Sequence, residues 1–350
     1  MDTILILLTA LTFSVLVTPL VKRAALRTGL VSIPRSRDVH VTPVPLLGGA
    51  AIYIGVVIAL FIVSFFHGEA YVRELFGIML AASLMALTGL VDDRWGLSPF
   101  IKLIAQGLAS VILIVGGTQV LLFRVAWLDW LLTFFWVIGI TNALNFMDNM
   151  DGLSGGVATI AAAFFLLLAA MNTPPQVLVA TMAAALMGAC IGFLRYNWNP
   201  ANIFMGDTGS LFIGLLLAVL AIKLRFPTNT NLVTWMVPVV VLGVLVFDMT
   251  LVVVSRLRRG VNPFTSPGKD HLSHRLVALG MNKREAVLTI YLIAGALGMV
   301  GTYLTRASLD SAIVIGVALL TAAGVAIWWL ESYCPNGIAR IQPFKINAPN

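Results

Sequence analysis

The sequence predicts an all-α, polytopic membrane protein with about eleven transmembrane helices. Three observations carry that reading. Of its 350 residues, 59% are hydrophobic and 11% charged, with a mean hydropathy of +0.98; soluble domains carry roughly 25% charged residues. Apolar runs of about 20 residues follow one another, the length that spans a bilayer as a helix. Strands of a β-barrel would be shorter and would alternate apolar with polar positions, which these runs do not do.

The first run, 3–20, has no basic n-region before it and no small-residue cleavage site after it. It therefore reads as a span and not as a removable signal peptide. Runs at 48–66, 73–90, 99–116, 127–143, 153–170, 176–194, 208–224, 234–254, 285–303 and 309–330 supply the other ten. Between two of them, Gly116–Gly117 and the β-branched residues nearby predict a small hairpin over 117–126. Pro335, Gly337 and Pro343 mark an irregular end. The expected organisation is one transmembrane catalytic domain over 1–330 and a short cytoplasmic tail over 331–350. No internal repeat or low-complexity tract is visible. Cys190 and Cys334 make no disulfide framework.

Basic residues fix the sidedness. Lys22, Arg23, Arg27, Arg35 and Arg37 lie in loop 21–47. Arg256, Arg258, Arg259, Lys269, Arg275, Lys283 and Arg284 lie in loop 255–284. With Arg94, Lys102, Arg195, Arg340 and Lys345, one side holds 17 of the 22 Lys and Arg residues. The other side holds Arg73, Arg124, Lys223, Arg225 and Arg306. The positive-inside rule then places the N-terminus outside and the C-terminus in the cytoplasm. The net charge of +7 reads as topology signals and phosphate ligands, and not as nucleic-acid binding.

That assignment uses loop charge alone, yet it puts every acidic motif on the cytoplasmic side. A carboxylate in or near hydrocarbon is costly unless a cation, a metal or water offsets it. Several converging at one interface predict a polar cleft suited to Mg²⁺ and phosphate chemistry. A cytoplasmic cleft can meet a soluble nucleotide and a lipid together.

Each group has a plainer alternative. Asp92 and Asp93 are adjacent and cannot face one way along a helix; a solvated turn would explain them equally. Lys102 and Gln106, one turn apart in an apolar helix, shift the balance, because such a lysine invites an anion. Snorkelling to the surface is its plainer role. In Thr141–Leu153, Asn142 and Asn145 share a three-residue spacing, as do Asp148 and Asp151. A capping turn explains one Asp and Gly152, but less well two Asn and two Asp. Asp207 alone reads as a helix N-cap; preceded by Arg195, Asn197 and Asn199, it becomes a candidate metal ligand. His271 and His274 can share a face of one turn and, with Arg275, contact a phosphate. Zinc does not fit, since no further Cys or His ligands accompany them. Asp248, deeper in an apolar run, is expected to pair with an arginine or join a polar network.

In combination and order, HVTPVPLLGG at 40–49, VDDRWGLSPFIKLIAQ, TNALNFMDNMDGL, NWNPANIFMGDTGS and DHLSHRL resemble the polyprenyl-phosphate N-acetylhexosamine-1-phosphate transferase superfamily. The likeness covers almost the whole chain. It implies transfer of a sugar-1-phosphate from a UDP-N-acetylhexosamine to undecaprenyl phosphate with release of UMP, the first membrane step of an envelope polysaccharide or teichoic acid. It implies Mg²⁺, or Mn²⁺ in its place, with Asp207 as principal metal ligand and Asp93 near or on the metal. Asp92 and Asp93 would flank the phosphates. Lys102 matches the lysine after the DD motif, Asn197 and Phe204 match nucleotide-holding positions, and Asp151 matches a uridine-side aspartate.

The candidate catalytic set is thus Asp92, Asp93, Lys102, Asp148, His271 and His274. Asn142, Asn145, Asp151, Asn197, Phe204 and Arg275 are the substrate-binding candidates. Membrane lipids and a second copy of the chain complete the expected partners. DHLSHRL and eleven spans favour the GlcNAc-1-phosphate branch, with UDP-GlcNAc as donor, over the phospho-MurNAc-pentapeptide translocase branch. Several positions depart from the family pattern: Ser273, where His is frequent, Asn149, where Gly is commoner, and Val41 and Thr42, where basic residues are frequent. Direct attack of the lipid phosphate on the β-phosphorus is the favoured mechanism, Asp92 or Asp93 assisting proton removal; a covalent aspartyl intermediate is the rival. A cation-coupled transporter is the competing class, but it would place its acids near the midplane and not at one side.

Overall fold

The computed structural model describes residues 2–32, 43–66, 69–227, 229–263 and 268–334. Thirteen helices follow in chain order: α1 (Asp2–Thr28), α2 (Gly48–Ser64), α3 (Glu69–Trp95), α4 (Pro99–Val115), α5 (Ala126–Met147), α6 (Leu153–Met171), α7 (Val177–Asn197), α8 (Gly206–Lys223), α9 (Asn231–Val241), α10 (Gly243–Arg258), α11 (Leu272–Ala278), α12 (Lys283–Leu304) and α13 (Leu309–Tyr333). All eleven expected runs fall on helices.

Among the described residues, eight helices are long and apolar enough to cross a bilayer, or nine if one bent pair counts as a span. The expected count of about eleven is higher for two reasons. Helices α2 and α4 have 17 residues each, about 25 Å of helix against a hydrocarbon layer of roughly 30 Å. The single run expected over 234–254 is the broken pair α9 and α10, which meet at 75°. Pro238, which lacks an N–H, lies within α9, and Gly243 opens α10.

The predicted hairpin over 117–126 contains no strand. Its amides are held by side chains of α5 instead: Asp129 Oδ1 accepts the N–H groups of Leu122 and Phe123 at 3.2 and 3.0 Å. The two short strands are elsewhere. β1 (Val31–Ser32) pairs antiparallel with β2 (Val44–Pro45). From there the chain runs against the approach to α8. The Phe204 N–H donates to Pro45 O at 2.8 Å, Gly48 N–H to Phe204 O at 2.9 Å, and Gly49 N–H to Met205 O at 2.8 Å.

Helix α8 is the axis of the bundle, with 89% of its apolar window buried against α2, α3 and α5. α13 is peripheral, with 6% buried. An apolar helix with so little protein contact suits a lipid-facing position. The first residues of the expected tail belong to α13, which continues to Tyr333.

Candidate active site

Helix α3 runs past Asp92 and Asp93, so the pair sits in its last turn. Adjacent residues project about 100° apart around a helix, and each aspartate finds a different partner. Asp93 reaches the first turn of α8. Its Oδ1 accepts the Asp207 N–H at 2.8 Å, and its Oδ2 accepts the Thr208 N–H and hydroxyl at 3.0 and 2.7 Å. Helix starts carry orphan N–H donors and a positive dipole end, and a carboxylate answers both. The cap of α8 thus comes from another helix, so the plainer N-cap role does not fall to Asp207. Two glycines permit the approach. Gly206 has φ +70°, and a Cβ there would lie 2.6 Å from Asp93 Oδ2. A Cβ on Gly89 would lie 2.2 Å from the Asp207 carbonyl oxygen.

Asp92 turns to α4. Lys102 Nζ lies 2.9 Å from Asp92 Oδ2 and 3.0 Å from Asp207 Oδ2. Asp92 Oδ1 accepts the Leu97 N–H at 2.5 Å. From α5, Asn145 Nδ2 donates to Asp207 Oδ1 at 3.0 Å and to Ser210 Oγ at 2.9 Å. Asn142, one turn earlier, does not join this cluster. It exchanges two amide hydrogen bonds with Gln106, at 3.2 and 2.8 Å, and so fastens α4 to α5.

The turn after α5 carries the next group. The Ser154 hydroxyl donates to Asp148 Oδ1 at 2.5 Å. Burial, reinforced by the negative charges of Asp93 and Asp151, pushes the Asp148 carboxyl up to about 6. Asp151 Oδ2 accepts from Asn199 Nδ2 and the Ala201 N–H, at 2.9 and 3.0 Å. Asn197 is buried, with both ends of its amide on the backbone. Its Oδ1 accepts the Gly152 N–H at 3.0 Å, and its Nδ2 donates to Ile203 O at 2.9 Å. Phe204 is part-exposed on the strand-like stretch just before α8.

Helix α11 brings the histidines. Asp248 of α10, 2% exposed, is the anchor that sequence reading underrated. Its Oδ2 lies 2.8 Å from His271 Nδ1, and its Oδ1 accepts the Leu272 N–H at 2.7 Å. Of the two roles expected for Asp248, an arginine pair or a polar network, the structure shows the network, with His271 and the Leu272 amide as its members. A carboxylate on Nδ1 fixes the ring and leaves Nε2 as the free nitrogen. His274 packs its ring 6.4 Å from that of His271. Burial, then the nearby His271 and Lys269, lower its ionisation to about 4, so it is neutral near pH 7. Ser273 Oγ donates to Asn149 Oδ1 at 2.7 Å, which joins two of the positions that depart from the family pattern; Val41 and Thr42 lie outside the described residues. Arg275 is fully buried and does not face the carboxylate cluster. Its guanidinium is held by Glu331 Oε1 at 2.5 Å, Asp270 O at 2.8 Å and Cys334 O at 3.3 Å.

Among the described residues, no group of three or more His, Cys, Asp and Glu is set to hold a metal ion. The donors still fit Mg²⁺, which is commonly bound by one or two carboxylates with water and substrate phosphates. Asp92 Oδ2 and Asp207 Oδ2 both converge on one cation, the Lys102 ammonium. Asp93 is less available, since both its oxygens hold the start of α8.

Comparison with known proteins bears on the same segment. Residues 75–225 match the family described as Glycosyl transferase family 4. The decaprenyl-phosphate N-acetylglucosaminephosphotransferase of Mycolicibacterium smegmatis is 35% identical over 369 residues, covering 94% of this chain and 89% of the relative. A probable undecaprenyl-phosphate N-acetylglucosaminyl 1-phosphate transferase of Bacillus subtilis is 34% identical over 287 residues, covering 79% of this chain and 78% of its own. The undecaprenyl-phosphate alpha-N-acetylglucosaminyl 1-phosphate transferase of Escherichia coli (strain K12) is 26% identical, covering 80% and 78%. The chain therefore belongs to the polyprenyl-phosphate N-acetylhexosamine-1-phosphate transferase family, in its GlcNAc-1-phosphate branch.

Proposed function

We propose that this protein transfers GlcNAc-1-phosphate from UDP-GlcNAc to undecaprenyl phosphate and releases UMP. The observation that carries the reading is the meeting of Asp92, Lys102 and Asp207 at the start of α8, where three helices deliver charge to one point and a fourth, α5, adds the Asn145 amide. In the reaction a lipid-phosphate oxygen attacks the β-phosphorus of the donor. The bond from that phosphorus to the bridging oxygen breaks, and the oxygen leaves with UMP. Both reactants are anionic, so their approach needs positive charge. Lys102 supplies one permanent cation, and the α8 dipole adds a fractional one. Asp207 and Asp92 would hold Mg²⁺, which when bound stabilises the charge growing on the phosphoryl oxygens.

Asn145 keeps Asp207 aimed at Lys102. Asp93 holds the start of α8 in place and so positions Asp207 indirectly. Asp148 accepts a proton only above about pH 6. His271, oriented by Asp248, presents Nε2 as a hydrogen-bond group for a phosphate or sugar oxygen. Asp151 and Phe204, at the mouth of the 198–204 segment, serve the nucleotide. Asn142, Asn197 and Arg275 act as positioning residues, because their polar atoms are engaged by protein.

The same reading counts α2, α4 and the bent α9–α10 pair as crossings, eleven in all, within one catalytic domain. It places the N-terminus outside and the carboxylate cluster in the cytoplasm. The experiment is incubation of the purified protein with UDP-GlcNAc, undecaprenyl phosphate and Mg²⁺. UMP and a lipid-linked sugar diphosphate should form together. Folded protein that yields neither would end the proposal.

A further inference from the structure

A cavity of about 630 Å³ opens at the far end of the bundle, where α5 and α9 begin and α8 ends. Sixteen residues of α8 separate Asp207 from Lys223, about 24 Å of helix, so this cavity takes no part in the carboxylate site. Its lining includes Arg124, Arg225, Asp129, Asn229, Asn231 and Thr234.

The charges there are unbalanced. Arg225 is part-buried, with its guanidinium over the Trp235 ring at 5.5 Å. Its protein acceptors are two distant carbonyls, Leu224 O at 3.4 Å and Gln119 O at 3.5 Å. Among the described residues, neither Arg225 nor Arg124 has a carboxylate within 4.0 Å. The one acid in the lining, Asp129, is 1% exposed and holds the Leu122 and Phe123 amides. A partly desolvated cation without a counter-ion is costly.

Backbone geometry points the same way. Arg124 has φ +56°, the one non-glycine residue with positive φ among those described. That conformation is unfavourable for a side chain with a Cβ. It persists where the surroundings impose it, and such positions cluster at ligand sites. Here Asp129 pins the two preceding amides, and Thr133 Oγ1 pins the Val120 N–H at 2.9 Å. The loop thereby brings Arg124 to the mouth shared with Arg225.

We propose that this cavity binds a phosphate group between Arg124 and Arg225. Guanidinium groups suit phosphate through paired N–H donors. The surroundings favour a phospholipid headgroup as its source. Phe123, Trp127 and Trp130, 55%, 63% and 46% exposed, stand on the same loop and helix start. Exposed tryptophans such as Trp127 and Trp130 mark the headgroup level of a bilayer. A bound headgroup would tie the end of α8 to the membrane surface opposite the reaction.

The test uses full-length protein in uncharged detergent micelles, titrated with short-chain phosphatidylglycerol and, separately, with inorganic phosphate. The readout is the thermal midpoint, since a ligand of the folded state raises it saturably. Arg225→Gln should weaken the apparent affinity about tenfold, the loss of one charged contact. Arg124→Gly separates binding from folding: glycine tolerates φ +56°, so the ligand-free midpoint should hold or rise while affinity falls. A saturable shift with phosphatidylglycerol alone identifies the lipid source; the same shift with phosphate alone keeps the site and identifies the free anion. No saturable shift with either ligand, or equal shifts in the wild type and both variants, overturns the proposal.

Discussion

At the start of α8, charged side chains keep some contact with solvent: Asp92, Lys102 and Asp207 are 13%, 22% and 26% exposed. At the start of α11 the two carboxylates and two of their arginines do not. Arg256 and Asp270 are 6% and 1% exposed, and Arg275 and Glu331 are 0% and 7%. In the first set two carboxylates converge on one part-exposed ammonium. The second set is desolvated and closed upon protein, so each member depends on its partner. Motifs that look alike in sequence therefore sit in different settings: one stays part-exposed at the start of α8, the other ties α11 to the end of α13.

The sharpest test of that difference is Asp207→Asn. It keeps the shape of the side chain and removes the charge, and turnover should fall about 10³-fold, the scale of losing one electrostatic contact to a transition state. The thermal midpoint should change little. Near-normal turnover with unchanged Mg²⁺ dependence would remove Asp207 from the chemistry. Arg275→Ala should show the reverse pattern. Leaving the buried Glu331 with only the exposed Arg258, 3.9 Å away, costs up to about 3–5 kcal/mol of stability, while turnover per folded molecule holds far better than in Asp207→Asn. Equilibrium unfolding beside active-site titration separates the two; an unchanged unfolding midpoint would return Arg275 to the list of substrate contacts.

Asp248→Asn lies between these extremes. It retains a polar group beside His271 but loses the carboxylate that fixes the ring. A drop in kcat of roughly 10–100-fold is expected, on the scale of other orienting carboxylates, with KM little changed. If KM rises and kcat is retained, His271 serves ground-state binding alone.

The acidic limb of the pH profile comes next. As pH falls through about 6, Asp148 takes up a proton and turnover should fall up to tenfold per pH unit. The residual activity of Asp148→Asn should lack that limb; its persistence would assign the limb to another group. His274 stays neutral down to about 4 and adds no limb near 6.5. The stability effect has the opposite direction for Asp148. The folded protein keeps the proton up to about 6, whereas the ordinary carboxylate value is 3.8, so this group's contribution is lost as pH rises between those values.

The smallest effect concerns the Ser273–Asn149 bond. Ser273→Ala and Asn149→Ala should each cost about 1 kcal/mol. Their double mutant should show a coupling of about 0.5–1.5 kcal/mol. Additive effects would mean that the 2.7 Å contact carries no energy between the α5–α6 turn and α11.

The site was legible where chemistry and hydropathy coincide. Asp92, Lys102, Asn145 and Asp207 stood out because charge and amide groups beside apolar runs need a reason, and the structure brings those four together. Asp248 was underrated because its partner, His271, is 23 residues away in sequence. The protein partner of Arg275 was hidden for the same reason: Glu331 lies 56 residues on. The broken α9–α10 pair was hidden because hydropathy averages over Pro238 and sees no bend.

Sequence by itself determined that the chain is a bundle of apolar helices, since composition and run length decide whether a segment prefers lipid to water. It also determined the family, through motif order. Only the tertiary structure decided which aspartate does what. Asp92 and Asp93 are chemically identical neighbours, and their roles separate because helix geometry turns one toward Lys102 and the other toward the N–H groups of α8. Which partner a carboxylate meets is a property of packing between helices, and no local spacing along the chain encodes it.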